Sequence, residues 1–175
     1  TLKAVTIING NPAGKVLAQS FNMNKATFKP VIYLNPCEKN FPGWGEFTLV
    51  NGISGSLDFS DGEWQEWNKL NAELIIDLQQ FTEIKTISLS ALQNQIWPFI
   101  FLPKKVEFFV SDDGDTFRKV GEAINDIDPL SVPIQRKVFT ASFNPISASF
   151  IKVVVENLVK RPKGHLNEGE PASLF

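Results

Sequence analysis

One cysteine and one histidine are all that this 175-residue chain has of the two residue types most used for metal binding and thiol chemistry. The lone Cys37 can form no internal disulfide. That excludes a small disulfide-stapled scaffold, although a larger exported domain can rely on its core instead. A cysteine nucleophile needs a histidine partner, and His165 lies far along the chain in a Gly/Pro-rich segment. No apolar run approaches the roughly 20 residues of a membrane span, and the N-terminus has no signal peptide. The chain starts at Thr1 without a methionine, as expected of a piece of a larger protein. Basic excess is lacking too. With 17 Lys and Arg against 19 Asp and Glu, the net charge of −2 provides no field for nucleic acid and no cationic face for anionic lipid. The densest basic cluster, Lys160-Arg161-Pro162-Lys163, is short and reads as a solvated loop. No segment shows sustained helical periodicity with caps.

What remains is β-rich. Hydrophobic residues make up 43% and charged residues 21%, and there are 15 Phe with 11 Gly and 11 Pro. That composition describes one folded, turn-rich domain with a sizeable core. Residues 1–22 read as two short strands around the Asn9-to-Gly14 turn. Such a piece is too short for its own core, so it packs on the main domain or ends a preceding one. Lys25 to Leu34 is extended but interrupted by Pro30, which suits an edge strand. Asn35 to Glu46 is loop, with Phe41 and Trp44 expected to cover an open end of the core. Asn71–Leu78, Ile84–Ala91, Lys105–Ser111, Lys137–Phe143 and Phe150–Glu156 each alternate apolar and polar residues. Asp113-Gly114 turns the chain into a return strand at Phe117–Val120. Asn125 to Pro133 is another loop, and Ser173-Leu174-Phe175 looks like the start of a strand. Strands spaced about ten residues apart with long loops predict an antiparallel β-sandwich.

Catalytic chemistry is poorly served. The acids Asp58, Asp61, Asp112, Asp113 and Asp115 fall in turns, with no spacing that singles out a pair for glycoside cleavage. No phosphate loop, His/Cys metal cluster or nucleophile elbow is present. The tryptophans are more informative, because Trp44, Trp64, Trp67 and Trp97 all lie in turn-rich connections. Sugar rings present apolar C–H faces flanked by hydroxyls, so aromatic side chains beside amides suit them. The candidates are Trp64, Gln65, Trp67, Asn68, Gln93, Asn94 and Trp97, with Lys69, Gln95 and Arg118 as further polar contacts. Trp67 and Trp97 are the better candidates for exposure. The bland alternative is that the tryptophans cap the ends of the sandwich.

Several of these landmarks, in order, resemble a known family. Val50-Asn51-Gly52, Trp64, Ile75-Ile76-Asp77-Leu78 and Val110-Ser111-Asp112-Asp113-Gly114-Asp115-Thr116-Phe117 are similar to the discoidin-like, or coagulation factor V/VIII type C, domain over residues 25–175. That family includes family 32 carbohydrate-binding modules. A narrower resemblance rests on Leu49 to Ser56, Trp64-Gln65, and Leu92-Gln93 through Trp97 to Pro103-Lys104. These look like the C-terminal modules of Bacteroides-type family 20 glycoside hydrolases (β-hexosaminidases). Residues 1–24 resemble the end of the fibronectin-like or chitobiase-C-like piece that precedes such modules. The resemblance implies an all-β, jelly-roll, galactose-binding-domain-like sandwich whose last strand lies beyond Phe175. It implies a non-catalytic module that binds glycans and adjoins the catalytic and neighbouring domains of a parent enzyme. That enzyme would be exported to the periplasm or outer surface of a Gram-negative bacterium. It also implies a structural calcium, with Asn51 and Ser56 at two ligand positions. Asn51 stands where the family usually has Asp, and Gln79 where it has Gly.

Overall fold

The strongest alternations in the chain belong to two long strands. The computed structural model describes residues 1–175. Its strands are β1 (Leu2–Ile8), β2 (Asn11–Gln19), β3 (Val31–Tyr33), β4 (Trp67–Asn68), β5 (Ala72–Gln93), β6 (Lys105–Ser111), β7 (Arg118–Ile124), β8 (Gln135–Glu156) and β9 (Ser173–Leu174). A single 3₁₀ turn, Thr48–Val50, is the only helical element. The sheets run β3-β5-β8-β6-β7, β4-β9 and β1-β2, with every strand pair antiparallel. No helix is long and apolar enough to cross a membrane.

Asn71–Leu78 and Ile84–Ala91, expected as separate strands, are the two halves of β5, and Lys137–Phe143 and Phe150–Glu156 are the two halves of β8. A straight strand of that length would reach about 70 Å, against a radius of gyration of about 16 Å for a compact chain of this size. The ribbon therefore has to bend. Its register slips between Asp77 and Thr82 and again between Ile84 and Thr86. At the first slip Gln79 takes a φ of 62°, and its N–H donates to the Asp77 carboxylate at 2.7 Å.

After the bend both halves point at one core. Leu74, Ile76 and Leu78 meet Ile87 and Ala91 from the same strand, and Phe139 and Ala141 of β8 meet Ile151, Val153 and Val155. Val106, Phe108 and Val110 of β6, all fully buried, fill the middle. The result is a β-sandwich made largely by one ribbon folded onto itself. Each alternating residue is buried by the opposite layer, which is why the period-2 pattern was so clear in the sequence.

The shorter predicted elements are trimmed. Lys25–Leu34 contributes only β3, an edge strand as Pro30 requires. The return strand after Asp113-Gly114 runs over Arg118–Ile124. In that turn the Asp113 carboxylate accepts from Asp115 N, Thr116 N and Ser111 Oγ, which lowers its pKa to about 2. The β1–β2 hairpin contributes nothing to the core, since only Ala13 in it is even half-buried. Leu92 N–H donates to Phe175 C=O, and beyond that bond the outer edge of β5 from Ile84 to Ala91 pairs with no strand. Two clefts of about 190 and 380 Å³ open beneath that edge.

Candidate functional site

The segment Glu38–Glu66 folds back across one end of the sandwich. Glu38 N–H donates to Glu66 C=O, and Glu66 N–H donates to Phe41 C=O. This return and β4, which follows it, carry Trp64 and Trp67 indoors. Trp64 is 5% exposed and donates through Nε1 to Ser56 C=O at 3.1 Å. Its indole lies on Gly55, where a Cβ would stand 2.3 Å from the ring. Trp67 is 4% exposed, donates to Asn35 C=O at 2.9 Å and stacks on Tyr33.

Gln65 between them is equally interior. Its amide donates to Pro42 C=O and Gly45 C=O, and its carbonyl oxygen accepts from the Tyr33 hydroxyl. Burial raises the Tyr33 hydroxyl and the Cys37 thiol above their ordinary values. Gln93 is fully buried, and its amide donates to Asp128 C=O and Ser131 C=O. Trp64, Gln65, Trp67 and Gln93, read as sugar-contact candidates in the sequence, are buried with their donors on protein carbonyls, and Gln93 Oε1 has no partner. Their N–H groups tie backbone carbonyls of the surrounding loops to them. Asn68 is half-buried in β4, with its side-chain oxygen enclosed and unpartnered.

The remaining candidates separate. Gln95 is buried, donating to Leu130 C=O and accepting at its own C=O from His165 Nε2. His165 Nδ1 accepts from Asn167 N–H, so the ring is held as the Nε2–H tautomer. Lys69 occupies a positive-φ position just after β4, and Arg118 faces Asp112 beside the Asp113–Gly114 turn. Half-buried Asn94 exchanges both backbone hydrogen bonds with Ile100, closing a loop whose outermost side chains are Ile96 and Trp97.

Trp97 is the one candidate tryptophan at the surface, 63% exposed. Its edge meets Phe59 at 5.5 Å, and Phe59 in turn packs on Phe41 and Phe175. Phe175 belongs to a small second core with Trp64, Leu92 and Ile100, so the exposed indole rests on a fixed aromatic base. Trp44, expected to cover the core, is instead 73% exposed. It lies over Gly62, a positive-φ residue where a Cβ would stand 2.6 Å from the indole nitrogen. Both exposed indoles thus sit on one loop, Trp97 at Phe59 and Trp44 at Gly62. That loop is tied by Asp61, which accepts from Ser56 N and Glu63 N, and by Asp58, which accepts from Ser60 N and Oγ. The Ser60 bonds hold the Asp58 carboxyl below its usual range.

Sequence reading missed Trp44 and Phe59 as parts of this surface. The one available signal for Trp44 was its setting between Gly43 and Gly45, with no apolar neighbour to pair with.

The residues implied as calcium ligands do not suit that ion. Calcium takes six to eight oxygen ligands. Asn51 turns its N–H₂ to Glu63 Oε2 at 2.6 Å, and its own oxygen accepts from Ile53 N–H. Ser56 Oγ accepts from Asp58 N–H, and Ser56 C=O from Trp64. No group of three or more acidic, histidine or cysteine side chains converges anywhere in the chain.

The all-antiparallel β-sandwich fits a galactose-binding-like fold. The family model for the F5/8 type C domain matches residues 36–166, and the chain belongs to that family. Among solved structures it is similar to the "CpGH89CBM32-5" module from Clostridium perfringens, solved with GalNAc-β-1,3-galactose, at 18% identity and a TM-score of 0.47 over 82% of this chain and 88% of that one. A Clostridium perfringens family 32 module from NanJ, solved with galactose, matches at 17% identity and a TM-score of 0.43 over 82% and 87%. A Ruminococcus gnavus GH29 fucosidase solved with fucose matches at 12% identity and a TM-score of 0.50, covering 88% of this chain but 26% of the fucosidase. No curated protein sequence matches the chain.

Proposed function

We propose that this domain is a non-catalytic carbohydrate-binding module of a secreted bacterial glycosidase, with Trp97 as its stacking face for a terminal sugar. The observation that carries the reading is an indole 63% exposed yet braced by Phe59, Phe41 and Phe175. A large apolar ring held in water by a rigid base is poised to accept the C–H face of a sugar at little further entropy cost. Half-buried Asn94 lies on the same loop as Trp97, and the hydrogen-bonded Asp58–Ser60 pair flanks Phe59. Membership of the F5/8 type C family and likeness to modules solved with galactose-type sugars accord with the reading. On this reading the parent enzyme is a Bacteroides-type β-hexosaminidase, placed in the periplasm or on the outer cell surface. Residues 1–24 are then the end of a preceding fibronectin-like or chitobiase-C-like piece.

Binding is expected to be shallow and weak, with stacking contributing on the order of 1 kcal/mol per ring beyond area burial. Calorimetry against galactose, N-acetylglucosamine and N-acetylgalactosamine, with Trp97→Ala as the control, tests it. Silence of the intact domain across a broad glycan array would sink the reading.

A second reading has its own observation. Leu2, Ile7, Ile8, Val16 and Leu17 are each exposed, on one face or the other of the β1–β2 hairpin. A two-stranded ribbon with so much bare apolar surface suits a spacer that docks on a neighbouring domain of its enzyme. In that case the array is silent, and removing the hairpin weakens association with the neighbour.

A further inference from the structure

We infer that Arg136 closes the Leu49–Glu63 loop in the way a bound cation would, so that the stability of this domain does not depend on calcium. Several of the loop's carbonyl oxygens are committed to the protein's own donors. Val50 C=O accepts from Phe28 N–H, Gly52 C=O from Asn22 N–H at 2.6 Å, and Ser56 C=O from the Trp64 indole. The three acids of the loop are likewise occupied by neutral groups. Asp58 takes Ser60, Asp61 takes Ser56 N and Glu63 N, and Glu63 takes the Asn51 amide. An aspartate at position 51 would repel Glu63 and invite a cation between them. Asparagine instead offers a donor, and the pair closes as a charge-assisted hydrogen bond.

The one basic side chain hydrogen-bonded to this loop is Arg136. It extends from β8, where it stands opposite Leu92 of β5, and its Nη1 donates to Gly55 C=O at 2.8 Å. Gly55 is the residue on which the Trp64 indole lies, so the guanidinium grips the loop where it meets the second core. A permanently charged, planar donor is suited to fasten a carbonyl in this way. The inference does not rest on glycan binding and stands or falls separately from it.

The intact domain is melted in EDTA and in millimolar calcium, and terbium luminescence is read as a probe of the ion. The expected result is the same Tm in both and no terbium signal. A calcium site at a hundredfold excess of ion over Kd would raise Tm by about 5 °C or more in a chain of this size, and such a shift in the wild type overturns the inference. Arg136→Met is expected to speed amide exchange across Gly55–Glu63, with β5 and β8 unchanged and no recovery in calcium. Unchanged exchange in the loop, or recovery in calcium, also overturns it. Arg136→Lys covers a failure of the Met variant to fold. It keeps the charge without the planar fork and is expected to show intermediate exchange, and exchange at the wild-type rate counts against the inference. Asn51→Asp supplies the converse: it sets a second carboxylate against Glu63 and is expected to lower Tm in EDTA and make it respond to calcium.

Discussion

The four tryptophans fall into two regions with opposite relations to water. Trp64 lies on the segment that folds back over the sandwich end and Trp67 on β4 just after it, and their nitrogens are spent on backbone carbonyls. Trp44 and Trp97 stand out from that same end, on either side of the Asp58–Gly62 loop. All four come from turn-rich stretches. The difference teaches that an indole in a loop turns inward where its N–H meets a backbone carbonyl of a neighbouring segment, and stays in water where its neighbours support it from one side only. Removing each kind should therefore break different things.

The largest effect is expected at Trp67→Ala, which empties a stacked, nearly fully buried site and should cost about 3–5 kcal/mol in urea unfolding. Gln65→Leu comes next. It removes the amide that ties the Pro42 and Gly45 carbonyls to the Tyr33 hydroxyl, each of which keeps a further partner, for a loss of about 1 kcal/mol in the same measurement. Trp97→Ala inverts the pattern. Its stability should change by less than about 0.5 kcal/mol, while sugar affinity in calorimetry falls about 2- to 10-fold. Equal losses of stability at Trp97 and Trp67 would erase the distinction.

Two carboxyls sharpen the same contrast through pH. Glu66 sits between the interior tryptophans, and burial raises its pKa above 4.5 against an opposing bond from Ser173 Oγ. Its charged form is therefore disfavoured by folding, so its contribution to stability declines as pH rises through 4.5 toward the folded value. Glu66→Gln should remove that slope. Asp113, out in the β6–β7 turn, has the reverse sign. Its pKa is lowered from 3.8 to about 2, so its contribution is complete above about 4 and lost as pH falls toward 2. Asp113→Asn should flatten the acid limb of a stability curve over that interval. The smallest effect is expected from deleting residues 1–20, which bury nothing in the core and should leave Tm unchanged.

The sequence by itself determined the sandwich. A strand buried on one face must alternate, so β5, β6 and β8 were legible from Leu74-Ile76-Leu78, Val106-Phe108-Val110 and Ile151-Val153-Val155 alone. Turn chemistry located Asp113-Gly114 and the edge position of β3 for equally local reasons. Joining the half-strands into two bent ribbons lay beyond local pattern, because the bend is set by which residues the opposite layer must cover. The site was less legible still. Loop residues have no period, and whether Gln65, Gln93 or Trp64 meets water depends on which distant carbonyls fold over it. Only the tertiary structure could leave Trp97 outside, bring Phe59 and Gly62 beneath the two exposed indoles, and carry Arg136 from β8 to Gly55.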